Sequence, residues 1–250
     1  MQSILELAAP PADARIAYGR GVSQFGDLRI PRGKGPHAAV IFLHGGFWRA
    51  TYDLTHAGHI CAALTKAGYA TWSLEYRRLG EPGGGWPGTM EDVLNGAQYL
   101  SKLTQKYSLD LTRVAVAGHS AGGQLALWLA AQETAPALRG VTSLAGVCDL
   151  RRAWELKLSD TVVEQWLGGT PKQVPKRYDL ASPIELLPMK TPQRLLHGTA
   201  DEIVPFEMSE RFARASKNGK LVKLEGAGHF ELIDPRVKEW AVVLKNITEW

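Results

Sequence analysis

Residues 113–123 read Arg-Val-Ala-Val-Ala-Gly-His-Ser-Ala-Gly-Gly. The run 113–117 is short and apolar, with β-branched valines alternating with alanines, which suits a buried strand rather than a helix. It ends in Gly118-His119-Ser120-Ala121-Gly122, and residues 124–132 continue with helical period. A strand that turns sharply into a helix starts a crossover unit and predicts a parallel sheet. Strand and helix must approach closely at such a turn, so a Cβ at 118 or 122 is expected to clash. The serine between them then sits on a strained bend.

The same alternation extends in both directions. Residues 38–43 form a strand ending at His-Gly-Gly, followed by a helix over 54–66. Residues 69–74 lead through a long glycine-rich loop into a helix over 90–106, where Val93, Leu94, Ala97, Leu100 and Leu103 share one face. Further strands fall at 140–144, 193–196 and 220–224, and proline-led helices at 205–216 and 235–247. Segments 15–18 and 22–25 suit an antiparallel edge hairpin. The irregular stretch from 150 to 191 holds too little apolar sequence for a core of its own. It reads as a small cap on one α/β domain spanning 1–250.

The chain has 250 residues, 45% hydrophobic and 22% charged. That balance excludes a disordered or collagen-like chain. A protein of this size buries roughly 70% of its unfolded surface, so no metal or disulfide staple is required. Cys61 and Cys148 are too few for a disulfide framework and read as buried thiols in a reducing compartment. No run approaches the ~20 apolar residues of a membrane helix. The N-terminus lacks a basic segment ahead of an apolar one, so a cytoplasmic protein is expected. The net charge of +4 is scattered, without the basic patch that nucleic acid would require.

Glycine-bracketed Ser120 carries a poor nucleophile at neutral pH unless a base and an orienting acid lie beside it. In this chain order the acid follows a later strand and the histidine comes last. Asp201 closes the turn after strand 193–196, with Glu202 as the rival acid, and His229 follows strand 220–224 between flexible glycines. These three are the candidate catalytic residues. His44-Gly45-Gly46-Phe47-Trp48 follows strand 38–43. Its glycines suit an oxyanion hole, with N–H donors from Gly46, Phe47 and Ala121. The seven histidines include His56 and His59, one turn apart and read as surface residues, and His197, read as serving a turn. His119 is the variable residue of the elbow, grouped with the substrate-facing positions. No metal and no organic cofactor are expected.

Together these motifs resemble the α/β-hydrolase superfamily over nearly the whole chain. Residues 44–48, Tyr76-Arg77, the stretch 86–92 and Gly118–Gly123 are similar to hormone-sensitive-lipase-like esterases. The His-Gly-Gly-x-Trp form, with Phe47 where a third glycine is usual, is similar to kynurenine formamidases and some bacterial acetyl- and feruloyl-esterase-like enzymes. The resemblance implies an eight-stranded, mostly parallel sheet with catalytic loops at the strands' carboxyl ends. It also implies an acyl site lined by Phe47 and Trp48. Trp86, Trp154, Val204 and Phe230 complete the expected pocket wall. The expected substrate is a short- to medium-chain acyl ester, cleaved through an acyl-enzyme by a monomer or homodimer. The rival substrate is an N-formyl amide; an acyl-peptidase or a non-catalytic binding module ranks lower.

Overall fold

A computed structural model describes residues 2–250. One eight-stranded sheet runs through the protein in the order β1-β2-β4-β3-β5-β6-β7-β8. Its strands are β1 (Ala14–Ala17), β2 (Phe25–Arg29), β3 (His37–Leu43), β4 (Ala70–Leu74), β5 (Leu109–His119), β6 (Val141–Leu144), β7 (Gln193–Gly198) and β8 (Gly219–Leu224). β1 and β2 are antiparallel, as is β2 against β4, and every remaining pair is parallel. The eight-stranded, mostly parallel expectation holds. Central strands are apolar on both faces: Val40 to Leu43 and Val114 to Ala117 are all buried. Sheets built of parallel strands require that, because the crossover helices cover both sides.

The covering helices are α1 (Gly58–Lys66), α2 (Gly88–Tyr107), α3 (Ala121–Ala130), α7 (Glu207–Ala215) and α8 (Trp240–Thr248). Between β6 and β7 the 150–191 segment folds into α4 (Leu150–Glu155), α5 (Leu158–Leu167) and α6 (Pro175–Ala181), followed by a short helical turn, Pro183–Leu186. Its buried side chains, Val162, Val163, Trp166, Leu167, Tyr178 and Ala181, join the same apolar cluster as Ile41, Trp72 and Leu125. α5 begins in left-handed backbone, with Ser159, Asp160 and Thr161 all at positive φ.

Among the boundaries that differ from the sequence reading, four have a visible cause. The hairpin's second strand is Phe25–Arg29, and Val22 is 90% exposed in the connecting turn. Asp27 and Arg29 are polar yet buried, which hid the strand; Arg15 neutralises Asp27 through two hydrogen bonds of 2.8 and 3.0 Å. β5 begins at Leu109 rather than 113, because Leu109 pairs with His37 before a register shift. α3 begins at Ala121 rather than 124, directly after Ser120. The last helix starts at Trp240 rather than 235: Asp234 accepts the Arg236 amide and ties its guanidinium, holding a separate turn.

The turn between β5 and α3 shows why glycine brackets the serine. A Cβ at Gly118 would lie 2.1 Å from the Gly122 carbonyl oxygen, and one at Gly122 would lie 2.1 Å from the carbonyl of Leu43 on the neighbouring strand. Backbone cannot give way as a flexible side chain does. Gly122→Ala is therefore expected to cost about 3 kcal/mol, the upper range for overpacking, read as a lowered urea midpoint with unchanged m value.

Candidate active site

Three strand ends and the loop after β3 converge at the carboxyl edge of the sheet, where open α/β sheets place their ligands. Ser120 sits at φ 57°, ψ −120° between β5 and α3. Positive φ costs a non-glycine residue on the order of 1–3 kcal/mol and persists only where surrounding structure imposes it. Here the Ser120 amide donates to the Leu144 carbonyl at 2.8 Å, and the Gly123 amide donates to Ser120's own carbonyl at 2.9 Å.

Asp201 and His229 are brought together as the sequence reading expects. His229 Nδ1 lies 2.6 Å from Asp201 Oδ2, and both side chains are buried. Asp201 Oδ1 accepts the amides of Ile203 and Val204, each at 2.9 Å. Burial alone would raise this carboxyl's pKa. Hydrogen bonds from His197 and His229, the imidazole's charge and the Val204 amide outweigh it, so Asp201 is held well below the ordinary carboxylate range. Glu202, the rival acid, is exposed. Among the described residues the Ser120 hydroxyl forms no hydrogen bond; catalytic hydrogen bonds are commonly open before substrate tightens them.

The His44–Trp48 loop lies against the serine: a Cβ on Gly45 would stand 3.0 Å from both the His119 carbonyl and the Ser120 Cβ. Gly46, Phe47 and Trp48 follow in succession at φ 111°, 49° and 56°. Among the described residues no acceptor takes the amides of Gly46, Phe47 or Ala121. The Ala121 amide is also one of the unpaired donors at the start of α3, where the helix dipole favours negative charge.

Three of the residues expected to face substrate do not. Trp48 is 1% exposed; its ring stacks on Trp166 at 4.6 Å and its Nε1 donates to Gln124 at 3.0 Å. The left-handed turn after Gly46 swings it inward, where it pins the 150–191 segment to the sheet. His119 is fully buried, and both its ring nitrogens are engaged within the protein, at 2.8 Å by His56 and at 2.9 Å by the His229 carbonyl. It has no polar atom left for a ligand. Val204 is also buried and serves Asp201 through its amide. Trp86 and Trp154 are half-buried against the core, and Trp154 donates to Glu164. Phe47 and Phe230 remain half-buried at the site. Phe230 stands 5.2 Å from the His229 ring, and both line a cavity of about 380 Å³ with Ala200, Glu202 and Ile203.

Sequence reasoning missed three supporting groups, the first formed by the neighbours Glu75 and Tyr76. Glu75, buried at the end of β4, accepts from His44 Nε2 at 2.9 Å and from the Leu54 amide at 3.0 Å, and pairs with Arg78 at 3.1 Å. Tyr76 stacks on the His44 ring at 4.4 Å and donates to the His44 carbonyl at 2.7 Å. These contacts hold the base of the oxyanion loop. The signal was present: a lone acid directly after the uncharged run Tyr69–Leu74. Glu75→Ala is expected to cost about 3–5 kcal/mol by unpairing buried charge, read by urea denaturation. His197 is the second, with Nε2 2.8 Å from the Val204 carbonyl and 3.3 Å from Asp201 Oδ2. The third is His56, expected on the surface and found half-buried against His119.

A nucleophile elbow, a histidine–aspartate pair and free amides on this sheet define an α/β-hydrolase-fold chain. The BD-FAE family model matches residues 27–215, and the protein belongs to that family. Among curated relatives it is 27% identical to esterase LipC of Mycobacterium tuberculosis, over 88% of this chain and 60% of that one. It is 28% identical to the kynurenine formamidase of Meyerozyma guilliermondii, over 70% and 61% respectively. The chain thus spans about three fifths of these relatives' length. A truncated carbohydrate esterase from gut microbiota superposes with a TM-score of 0.78 at 22% identity, over 99% of this chain and 97% of that one. Among the described residues no helix is long and apolar enough to cross a membrane.

Proposed function

We propose that the protein is a serine carboxylesterase acting on short- to medium-chain acyl esters. The observation that carries this reading is the 2.6 Å contact between His229 and Asp201 beside a serine held at positive φ. Ser120 Oγ attacks the ester carbonyl carbon while His229 Nε2 takes its proton. Asp201, on Nδ1, holds the ring and balances the imidazolium. The tetrahedral oxyanion forms against the amides of Ala121, Gly46 and Phe47. Each such donor is worth roughly 10²–10³ in kcat because it is oriented before charge develops. Collapse expels the alcohol, which takes the proton from His229. Water then attacks the acyl-serine with His229 as base, and Ser120 is regenerated. The residues need no metal or organic cofactor for these steps.

The test is hydrolysis of p-nitrophenyl acetate and butyrate, with stoichiometric labelling of Ser120 by a fluorophosphonate. Absence of both in folded protein removes the proposal. The aromatic Phe47 in the oxyanion loop and the formamidase relative favour one second reading, an N-formyl aryl amide as substrate. Comparing kcat/KM for N-formylkynurenine and phenyl acetate decides between them. We further propose a monomer or homodimer in the cytoplasm, supported by two buried, unpaired cysteines. Sedimentation reads the first and fractionation of the source cells the second.

A further inference from the structure

His56, His119 and His229 stand in a row that esterase chemistry does not require. The ring centroids of His119 and His229 are 4.4 Å apart, and those of His56 and His119 are 5.1 Å apart. Hydrogen-bond direction is fixed from one end. His119 Nε2 lies 2.9 Å from the His229 carbonyl oxygen, which only accepts, so Nε2 carries the proton. In a neutral His119 ring Nδ1 is then a lone pair, and His56 Nε2, 2.8 Å away, must donate to it. That leaves His56 Nδ1 as a bare acceptor, and among the described residues this buried atom has no partner. A proton added to either ring would place a buried N–H against another donor or against nothing. Burial, followed by neighbouring histidines, accordingly pushes His56 down to about 3 and His119 far below its usual value. Both rings are neutral at working pH, each in one tautomer.

The chain of bonds joins three catalytic segments. His119 is covalently next to Ser120. His229 is the base itself, held through its own backbone carbonyl. His56 sits just after the oxyanion loop, on the helical turn Leu54–Ala57. We propose that His56 and His119 are positioning residues, a neutral two-imidazole clamp that sets the separation of the Ser120 hydroxyl from the His229 ring. Asp201 fixes the imidazole at Nδ1, and the clamp fixes the Cα from which it swings. This inference rests on the serine-hydrolase reading above, and a misplacement of about 1 Å at such a site costs on the order of 10² in rate.

The experiment compares His119→Leu with His119→Gln, and His56→Leu with His56→Gln, in the full chain. Glutamine keeps an N–H donor and an oxygen acceptor; leucine keeps only volume. We expect the leucine variants to lose 10- to 100-fold in kcat on p-nitrophenyl acetate with KM within twofold, and glutamine to restore His119 to within about threefold of wild type. The proton shared by His229 and Asp201 gives a downfield NMR resonance that should shift or vanish in His119→Leu and persist in His119→Gln. Combining both leucine changes should cost little more than one, since either breaks the same chain. Wild-type kcat in the leucine variants, or equal losses for leucine and glutamine, overturns the clamp. Should His119→Leu fail to fold, the His56 pair carries the same comparison. Should wild-type protein neither hydrolyse esters nor react with fluorophosphonate, the esterase reading has failed. The downfield resonance then tests the clamp without catalysis.

Discussion

Ser120→Ala is expected to lower kcat on p-nitrophenyl esters by on the order of 10⁵–10⁶ and to abolish fluorophosphonate labelling. Removing a triad nucleophile costs about that much in a well-characterised serine protease, leaving a residual 10³–10⁴ over water from the oxyanion hole and binding. The fold should survive, because the hydroxyl has no hydrogen bond to lose among the described residues. A second substitution separates chemistry from conformation. Ser120 stands at φ 57°. Ser120→Gly should be equally inactive yet about 1 kcal/mol more stable than Ser120→Ala, because glycine relieves the backbone strain that alanine retains. Retained turnover in Ser120→Ala would mean that another group attacks the substrate. Equal stability of the two variants would mean that the elbow is unstrained.

Asp201→Asn is expected to reduce kcat by about 10⁴ with little change in KM. The amide offers a donor where His229 Nδ1–H needs an acceptor, so the ring adopts the wrong tautomer. The same change reports on stability through its pH dependence. The folded carboxyl is held below the ordinary range, so unfolded protein binds the proton more readily. Its contribution is fully present above the unfolded pKa of about 3.9 and is lost as pH falls towards the depressed folded value. The stability difference between wild type and Asp201→Asn should therefore be constant from pH 5 to 7 and shrink below pH 4. Urea midpoints across that range provide the measurement. A difference that grows in acid would contradict a carboxylate held ionised by the hydrogen bonds of Asp201.

The sheet was legible because its central strands are buried on both faces, and a doubly buried strand writes an unmistakable apolar run: Ala38–Leu43, Tyr69–Leu74 and the residues before Gly118. The edges were not. Phe25–Arg29 carries Asp27 and Arg29 inward, and partners distant in sequence, Arg15 for Asp27 and the Pro10 carbonyl for Arg29, make that acceptable. Pro235 looked like a helix start because proline suits a first turn, yet Asp234 captures Arg236 and delays the helix to Trp240. Local pattern carries no term for such a side-chain trap.

In the site the division follows the same physics. Ser120, Asp201 and His229 could be read from chain order, since strand ends and glycine turns are local features that chemistry constrains. So could the glycines at 118 and 122, because close approach forbids a Cβ in any protein with that turn. The directions of Trp48, His119 and His56 could not. Trp48 lies in left-handed backbone, His56 in a helical turn and His119 at the last position of β5, where a small dihedral difference decides between a pocket and the core. Their partners are distant in sequence: Trp166 for Trp48, His229 for His119, His119 for His56. Sequence alone singled out the groups proposed to supply the reaction. Tertiary structure alone decided which neighbours hold them, because a hydrogen bond between buried side chains is set by the meeting of two surfaces, and neither segment carries a record of the other.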